Sequence, residues 1–222
     1  MKEKIITIHQ PDFFPWLGFF DRWKKSDLYI ALDDVQFLRR GWHHRDKIKT
    51  KTGVSWLTVP IVKRGKYNQL INETEIDNSI DWRSRCLNAI HFNYKKAPNF
   101  EYCFKKIEDI YGKNHQFLID LNKDIMNFAA CELSIDTPLI FSSKYKIKST
   151  STQRLVELVG LVEGTTYLTG LGSRDYLDES IFNDEGVKVD WYDFQHPVYE
   201  QLHGDFIPGL SCLDFLMMRT KN

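Results

Sequence analysis

The chain has 222 residues with 30 basic and 30 acidic side chains, so its formal net charge is zero. This length fits one large domain or two small ones, and such a chain buries about 70% of its unfolded surface without needing a disulfide or a metal. The charge balance argues against a general binder of nucleic acids or membrane surfaces, although a local basic cluster would still matter.

Cysteine usage and hydropathy predict the compartment. The four cysteines are far apart and form no C-x-x-C pair, which is neither a zinc pattern nor the disulfide framework of a secreted protein. The apolar run near the N-terminus is too short for a signal peptide. No apolar stretch approaches the roughly 18 residues of a membrane span. We therefore predict a reduced, cytoplasmic protein without a membrane span.

The first forty residues predict a strand, a helix and a second strand. A β-branched apolar run at 5–8 ends at His9 and Gln10, and a second apolar run follows at 28–32. Between these runs two prolines stiffen a loop, and Gly18 opens an aromatic-rich helix. This order is typical of a right-handed βαβ unit in a parallel sheet.

Polar side chains lie past the predicted end of both strands. His9 and Gln10 follow the first strand, and Asp33 and Asp34 follow the second. In open parallel sheets, ligands bind just beyond the carboxyl ends of the strands. We therefore predict that these four residues converge on one edge of the sheet, with His9 as a base or positioning donor and Asp33 or Asp34 as its orienting carboxylate. The aromatic residues of the loop and helix are expected to be mostly core.

The segment 35–49 is basic and contains interleaved aromatic residues, and a further strand is predicted at 54–61. Arginine forks such as that of Arg45 match phosphate and carboxylate groups. The alternative interpretation is a solvated basic loop. His43 and His44 are adjacent, so on a strand they would point to opposite faces and would not share a metal.

Apolar spacing predicts three helices at 81–97, 99–111 and 114–132. Asp81 and Asn114 are the expected N-caps of the first and third helix. We interpret residues 79–135 as a helical insertion within a single α/β domain that spans 1–222.

The second half resumes strand and helix alternation, with strands at 138–141, 165–169 and 187–194 and a helix at 149–159. The turn 170–173 contains two glycines and follows a strand, so its backbone can approach an anion closely at the start of the next helix. The hydroxyl cluster before Arg154 is a second helix start that suits anions. The predicted fold class is α/β, an open, mostly parallel, nucleotide-binding-like sheet with the helical insertion.

Near the C-terminus the segment 196–206 contains two histidines, a tyrosine and two acids. Because histidine titrates near neutral pH, His196 is a second candidate for acid–base chemistry. Two alternatives are open: a metal held by His9, an aspartate and His196, and a purely structural loop. Our prediction contains no metal.

Two stretches resemble the HIGH-type nucleotidylyltransferases. Where that family has an H-x-G-H tetrad at a helix start, this chain has Trp16-Leu17-Gly18-Phe19, which keeps the glycine and lacks both histidines. Residues 149–154 match its later S-S-T-x-x-R-like motif loosely. This resemblance covers about a third of the chain and implies a nucleotide-binding-like α/β fold more than it implies adenylyl transfer.

A closer resemblance, to the WbqC-like family, covers nearly the whole chain. Its motifs are His9-Gln10-Pro11, Pro15-Trp16-Leu17-Gly18-Phe19-Phe20, Asp34-Val35-Gln36-Phe37, Tyr167-Leu168-Thr169-Gly170, Asp175-Tyr176-Leu177, His196-Pro197-Val198-Tyr199-Glu200-Gln201, Phe206-Ile207-Pro208-Gly209-Leu210-Ser211 and Asp214. The resemblance implies a setting beside bacterial surface-polysaccharide enzymes, with modification of an amino sugar. One departure is His44, since relatives tend to carry an Asn-Arg pair there, and this leaves the role of position 44 open.

These observations give one predicted site and two candidate functions. The predicted catalytic residues are His9, Asp33, Asp34 and His196, and the predicted substrate-binding residues are Gln10, Trp16, Gly18, Gln36, His44, Arg45, Arg154, Gly170, Gly172, Ser173, Asp175, Tyr176, Tyr199 and Gln201. The first candidate is a cytoplasmic group transferase of O-antigen biosynthesis, with acyl or aminoacyl transfer to an amino sugar or sugar nucleotide. The second is a nucleotide- or sugar-nucleotide-binding module, or a degenerate nucleotidylyltransferase, without catalysis.

The same observations set the expected partners. We expect a small-molecule substrate, such as a sugar nucleotide or a carrier-bound acyl group, and no nucleic acid. Cofactor and oligomeric state stay open at this stage.

Overall fold

The computed structural model describes residues 3–220, so the two positions at each end of the predicted 1–222 domain lie outside the described residues. In chain order the elements are β1 (Ile5–His9), α1 (Leu17–Lys24), β2 (Leu28–Ala31), β3 (Arg45–Thr50), β4 (Gly53–Thr58), α2 (Trp82–Tyr94), α3 (Phe100–Tyr111), α4 (Leu118–Glu132), β5 (Leu139–Phe141), α5 (Ser151–Leu161), β6 (Thr166–Gly170), α6 (Glu179–Asp184), β7 (Lys188–Tyr192) and α7 (Cys212–Met218).

These residues form two compact units. The sheet unit contains 3–10, 18–34 and 135–195, and the helical unit contains 11–17, 35–134 and 196–220. Helices α2 to α4 lie between β2 and β5 in the chain, within the segment predicted as an insertion. The single domain with an insertion at 79–135 stays a prediction.

The sheet unit contains five strands in the order β5-β2-β1-β6-β7, and every adjacent pair is parallel. This confirms the predicted α/β class and the open, parallel, nucleotide-binding-like sheet. The chain moves outward from β1 through β2 to β5 on one side, then crosses to β6 and β7 on the other. The strand order therefore reverses between β1 and β6, which is where such sheets bind ligands.

The core of the sheet unit follows from the apolar runs that predicted its strands. Ile6, Ile8 and Ile30 project from the central strands and are almost fully buried. They pack in one cluster with residues of α5, α6 and the neighbouring strands, namely Val156, Leu158, Val159, Val162, Tyr167, Leu177, Phe182 and Val187. Two aromatic residues of α1 are buried as predicted, Phe19 and Phe20, and Trp23 of the same helix is buried as well.

The helical unit contains helices α2, α3, α4 and α7. Helix α2 packs on α3, α3 packs on α4, and α7 packs on both α3 and α4. Asp81 is the predicted N-cap of α2, and its side chain accepts a hydrogen bond from the Ser84 amide at 3.3 Å. Asn114 does not cap a helix: α4 begins at Leu118 with Phe117 in the N-cap position. The predicted start was too early: the backbone of Asn114 has a positive φ of 51°, outside the right-handed helical region.

A hairpin in the helical unit was only half predicted. The expected strand at 54–61 is β4, and it pairs antiparallel with β3, a strand that we had interpreted as part of a basic segment. The two strands form a sheet of their own, separate from the five-stranded one. The sequence of β3 is highly charged. Ile48 and Lys49 are nevertheless both buried, which explains why this strand is ordered.

Two details at the edge of the parallel sheet differ from expectation. His9 is the last residue of β1 instead of the first residue after it. The glycine turn after β6 is a short 3-10 helix over Leu171–Ser173, and α6 begins only at Glu179, so no α-helix starts directly at the turn. Among the described residues, no helix has both the length and the apolar character that crossing a membrane requires.

Candidate functional site

His9 is held at the carboxyl end of the central strand β1. Its Nδ1 lies 2.9 Å from the carbonyl oxygen of Gln10. Because a carbonyl oxygen only accepts, Nδ1 carries the hydrogen, and in the neutral ring Nε2 is then the acceptor. The imidazole and the Phe19 ring pack in a T-shaped arrangement at a centroid distance of 5.3 Å. His9 is therefore a half-buried, oriented imidazole, which is the arrangement a general base requires.

The neighbouring strands place further predicted residues along the same sheet edge. His9 is in register with Ala31 of β2, so Asp33 and Asp34 follow at the adjacent strand end. On its other side β1 pairs with β6, whose last residue is Gly170. The sequence prediction that the ends of β1, β2 and β6 share one edge of the sheet therefore agrees with the strand order.

The turn after β6 holds several predicted residues in one hydrogen-bonded group. The Ser173 hydroxyl lies 2.9 Å from the Tyr176 hydroxyl and accepts a hydrogen bond from Thr169 at 3.3 Å. Gly172 and Asp175 belong to the same turn. A side-chain atom added at Gly172 would meet nothing within 4 Å, so the turn is open at this point.

Arg22 is a residue that sequence reasoning missed. Its Nη1 lies 2.7 Å from the position that a Cβ atom would occupy at Gly170, so the guanidinium fills the space above this glycine. Arg22 is only 8% exposed. None of the side-chain hydrogen bonds or salt bridges within residues 3–220 involves this guanidinium. Burial raises the pKa of Tyr167, and the positive charge of Arg22 nearby opposes this shift. Within residues 3–220, Arg22 is therefore a largely buried cationic side chain without an acidic partner.

Asp33 and Asp34 have partners other than His9. The buried carboxylate of Asp33 accepts hydrogen bonds from the Ser142 hydroxyl at 3.1 Å and from the Ser143 amide and hydroxyl at 3.0 and 2.8 Å. Asp34 accepts from Ser142 and forms a salt bridge with Arg154. These contacts join the end of β2 to the residues after β5. The hydrogen bond between His9 Nδ1 and the Gln10 carbonyl is one contact that orients the imidazole.

Arg154, near the start of α5, contacts several groups of the protein itself. Besides Asp34 it contacts two backbone carbonyls, donating to Ile147 at 3.0 Å and to Ser149 at 3.3 Å. The predicted hydroxyl cluster does begin α5, with Thr150 in the N-cap position, but no side chain caps the helix. The role of Arg154 as an anion ligand stays a prediction, and its present partners fix the loop before α5.

The remaining predicted residues belong to the helical unit, apart from Gly18 in α1. His196 stacks against Tyr199 at a centroid distance of 6.3 Å, and Gln201 donates to the Tyr199 hydroxyl at 3.3 Å. Trp16 forms an isolated bridge with Ser211, and Gln36 one with Leu70. His196 and His9 lie in different units, so their predicted pairing stays a prediction.

A buried polar network fixes Tyr199 and Gln201. The fully buried carboxylate of Asp214 accepts hydrogen bonds from the hydroxyls of Tyr94 and Tyr199, each at 2.8 Å. The Lys49 ammonium donates to the Gln201 side chain at 3.1 Å and to the Gly204 carbonyl at 3.0 Å. Burial raises the pKa of Asp214, while the two tyrosine hydroxyls act in the opposite direction. Asp214 was noted in the sequence only as a family motif, and Lys49 was missed.

A second buried group surrounds the predicted His44. Burial, with the nearby charges of Arg45 and Lys63, lowers the pKa of His44 to about 4, so this imidazole is neutral at pH 7. Its neighbour His43 contacts the buried Asp12 carboxylate at 3.0 Å through Nδ1. Burial raises the pKa of Asp46 to about 8. The predicted contact between His44 and a substrate stays a prediction. The position of His44 does not favour this contact, because its side chain is almost fully buried.

Tyr199 also lines a cavity of about 390 Å³. The walls combine aromatic, apolar and basic side chains: Lys96, Pro98, Tyr199, Glu200, Leu202, Phe215, Met218, Arg219 and Thr220. Within residues 3–220, no three His, Cys, Asp or Glu side chains are grouped closely enough to hold a metal ion.

Comparison with known proteins supports the resemblance seen in the sequence. The model of the WbqC-like protein family matches residues 10–222. "Uncharacterized protein Rv1507c" of Mycobacterium tuberculosis is 36% identical over 215 residues, which cover 96% of this chain and 93% of that protein. No solved structure matches the chain. The family match and this relative together show that the chain belongs to the WbqC-like protein family.

Proposed function

We propose that this protein is a group transferase whose donor carries a phosphate group, bound at the edge of the parallel sheet where β1 and β6 meet. The observation that carries the proposal is Arg22, a largely buried side chain whose guanidinium lies over Gly170 and has no acidic partner within residues 3–220. Its place at the reversal of strand order coincides with the position where open parallel sheets bind ligands.

The chemistry of Arg22 favours an anionic ligand. Burying a charge without a counter-charge is costly, so an arginine in this state gains most from an anion that enters the site. The planar guanidinium matches phosphate oxygens bidentately. Gly170 supports this role because the absence of a Cβ leaves room for the guanidinium at the end of β6. The sequence suggested a sugar nucleotide or a carrier-bound acyl group as ligand, and a phosphate group is present both in sugar nucleotides and in coenzyme A, one such acyl carrier.

His9 supplies the acid–base step in this proposal. Its Nε2, set as an acceptor by the bond between Nδ1 and the Gln10 carbonyl, takes the proton of the acceptor's amine or hydroxyl as that atom attacks the donor carbonyl. The bond between this acyl carbonyl and its carrier, such as the thiol of coenzyme A, then breaks, and the imidazolium returns the proton to the departing carrier. The parallel pairing of β1 with β6, which end at His9 and Gly170, supports placing the base and the phosphate site at one edge of the sheet.

We further propose the setting that family membership suggests, a cytoplasmic enzyme of bacterial surface-polysaccharide biosynthesis that transfers an acyl or aminoacyl group to an amino sugar. The alternative is a nucleotide-binding module without catalysis. One observation favours that alternative: Asp33 and Asp34, the carboxylates expected to orient His9, are engaged by Ser142, Ser143 and Arg154.

Ligand binding by an Arg22→Met variant tests the proposal. Thermal shift and calorimetry with nucleoside diphosphate sugars and coenzyme A should reveal stabilisation of the wild type, and the matching compounds without phosphate should have no effect. Because hydrogen bonds to charged groups contribute about 1.5–3 kcal/mol, Arg22→Met should weaken binding about 10- to 100-fold. The variant should fold normally, since methionine removes a buried, unpaired charge.

Arg85→Met on the exposed side of α2 is the matched control and should bind like the wild type. Equal affinity of the wild type and Arg22→Met for every phosphate-bearing compound would contradict the proposed site. Binding without any transfer to amino-sugar acceptors would favour the module.

A further inference from the structure

The chain as a whole is neutral, but one segment of it is strongly basic. Residues 35–69 contain a single acid, Asp46, and nine basic residues: Arg39, Arg40, Arg45, Lys47, Lys49, Lys51, Lys63, Arg64 and Lys66. Asp46 is buried and contributes no surface charge, Lys49 is buried as well, and Lys66 is paired with Glu75. The other seven cations make this part of the helical unit strongly positive.

Two of these cations, Arg45 and Lys47, are half-buried and lie against two exposed tryptophans at the β3–β4 hairpin. Trp42 and Trp56 are 42% and 43% exposed, and their ring centroids are 5.3 Å apart. Lys47 is directly opposite Trp56 in the hairpin, and its ammonium lies 4.9 Å from the Trp42 ring. The Arg45 guanidinium lies 4.4 Å from the Trp56 ring. We call Trp42, Arg45, Lys47 and Trp56 the basic hairpin surface.

Apolar side chains flank the basic hairpin surface. Leu38 is 52% exposed, and Val54 is 45% exposed on β4. Arg39 and Arg40, beside Leu38, are also exposed, and no salt bridge within residues 3–220 involves either of them. A single exposed apolar residue needs no explanation. Two tryptophans and two aliphatic residues among unpaired cations are a different case, because such a surface combines hydrophobic and electrostatic attraction.

We propose that the basic hairpin surface docks the protein on an anionic phospholipid bilayer. The arginine and lysine groups meet the lipid phosphates, the tryptophans lie at headgroup level where their amphipathic rings are preferred, and Leu38 and Val54 reach the acyl boundary. The cytoplasmic leaflet is negatively charged and attracts such basic segments.

A membrane explains this surface better than a nucleic acid does. Single strands bind to basic grooves with aromatic rings on which bases stack. Here Arg45 and Lys47 lie over the tryptophan rings, and the exposed aliphatic groups of Leu38 and Val54 have no counterpart on a phosphodiester chain. The inference goes beyond the proposed transferase activity, since it concerns where the protein is held and not what it transfers.

Vesicle sedimentation of the full chain tests the proposal. The wild type should bind vesicles that contain phosphatidylglycerol, bind pure phosphatidylcholine vesicles weakly, and lose binding as salt rises. Each basic residue near an anionic surface is worth about fivefold in affinity, so the double variant Arg45→Gln/Lys47→Gln should bind about 25-fold more weakly. Trp42→Ala should also weaken binding while leaving the salt dependence unchanged.

The matched control is Lys105→Gln/Lys106→Gln, which removes the same charge from the exposed side of α3 and should leave vesicle binding unchanged. Far-ultraviolet circular dichroism and the urea midpoint confirm that each variant is folded. Equal loss in both double variants would overturn the proposal, because the interaction would then depend only on net charge. Preferential binding of a single-stranded oligonucleotide in competition with the vesicles would overturn it too.

Discussion

Replacing His9 with alanine should lower turnover about 100- to 10,000-fold, the range that a positioned general base contributes. The imidazole is fixed by the Gln10 carbonyl and by the edge contact with Phe19, so its loss removes the proton acceptor without removing a core residue. The melting temperature should therefore change by only a few degrees. Steady-state kinetics with an amino-sugar acceptor, together with a thermal melt, measure both quantities.

His91→Ala is the matched control for His9→Ala. His91 is exposed on α2 and contacts the rings of Phe100 and Phe104, so its replacement also removes an imidazole that packs on aromatic rings. Turnover of His91→Ala should match the wild type. A His9→Ala variant that unfolds, or one that is folded and fully active, contradicts the assignment of His9 as the base.

The free energy of unfolding of an Asp46→Asn variant, relative to that of the wild type, should increase as pH rises. Burial raises the pKa of the Asp46 carboxyl to about 8 in the folded chain, against about 3.9 for an unfolded aspartate. Between these values the folded state holds a proton that the unfolded state has released. The stability from this group is therefore complete below about pH 4 and is lost as pH rises through about 8.

Asparagine cannot ionise, and its side-chain oxygen can still accept the hydrogen bond from the Lys47 amide that Asp46 accepts at 2.6 Å. The stability of Asp46→Asn relative to the wild type should therefore rise by up to about 1.4 kcal/mol per pH unit. Urea unfolding at several pH values between about 4 and 8 measures this difference. Asp120→Asn, on an exposed position of α4, should show no such trend. A pH-independent difference for Asp46→Asn would show that its carboxyl titrates normally.

Most of the parallel sheet could be predicted because its strands are continuous apolar runs with polar residues at their ends. Ile6, Ile8 and Ile30 are buried for the reason that their pattern indicated. The β3 strand could not be predicted in this way, because its sequence is charged. Its order depends on pairing with β4 and on the burial of Lys49 against Gln201 and Gly204, contacts that the local sequence does not reveal.

The candidate site likewise contains residues that the sequence could predict and residues that it could not. His9 and Gly170 were predictable, since each stands at a strand end and strand ends of a parallel sheet share an edge. Arg22 was not, because in sequence it is one cation on an aromatic helix. The role that we propose for it depends on a contact with Gly170, which is far along the chain, and only the folded structure shows this contact. Asp33 shows the opposite error: its position at a strand end was predicted, but its serine partners were not.

Two glycine variants test the phosphate site most directly. A methyl group at Gly170 would lie 2.7 Å from Arg22 Nη1 and 3.5 Å from Cζ, so the guanidinium must move, at small cost because it is the end of a flexible side chain. The same change at Gly172 meets nothing within 4 Å. Titration calorimetry with the phosphate-bearing ligand should show binding at least about tenfold weaker for Gly170→Ala, which corresponds to one hydrogen bond to a charged group, and unchanged binding for Gly172→Ala. Equal affinities of the two variants and the wild type would contradict the account.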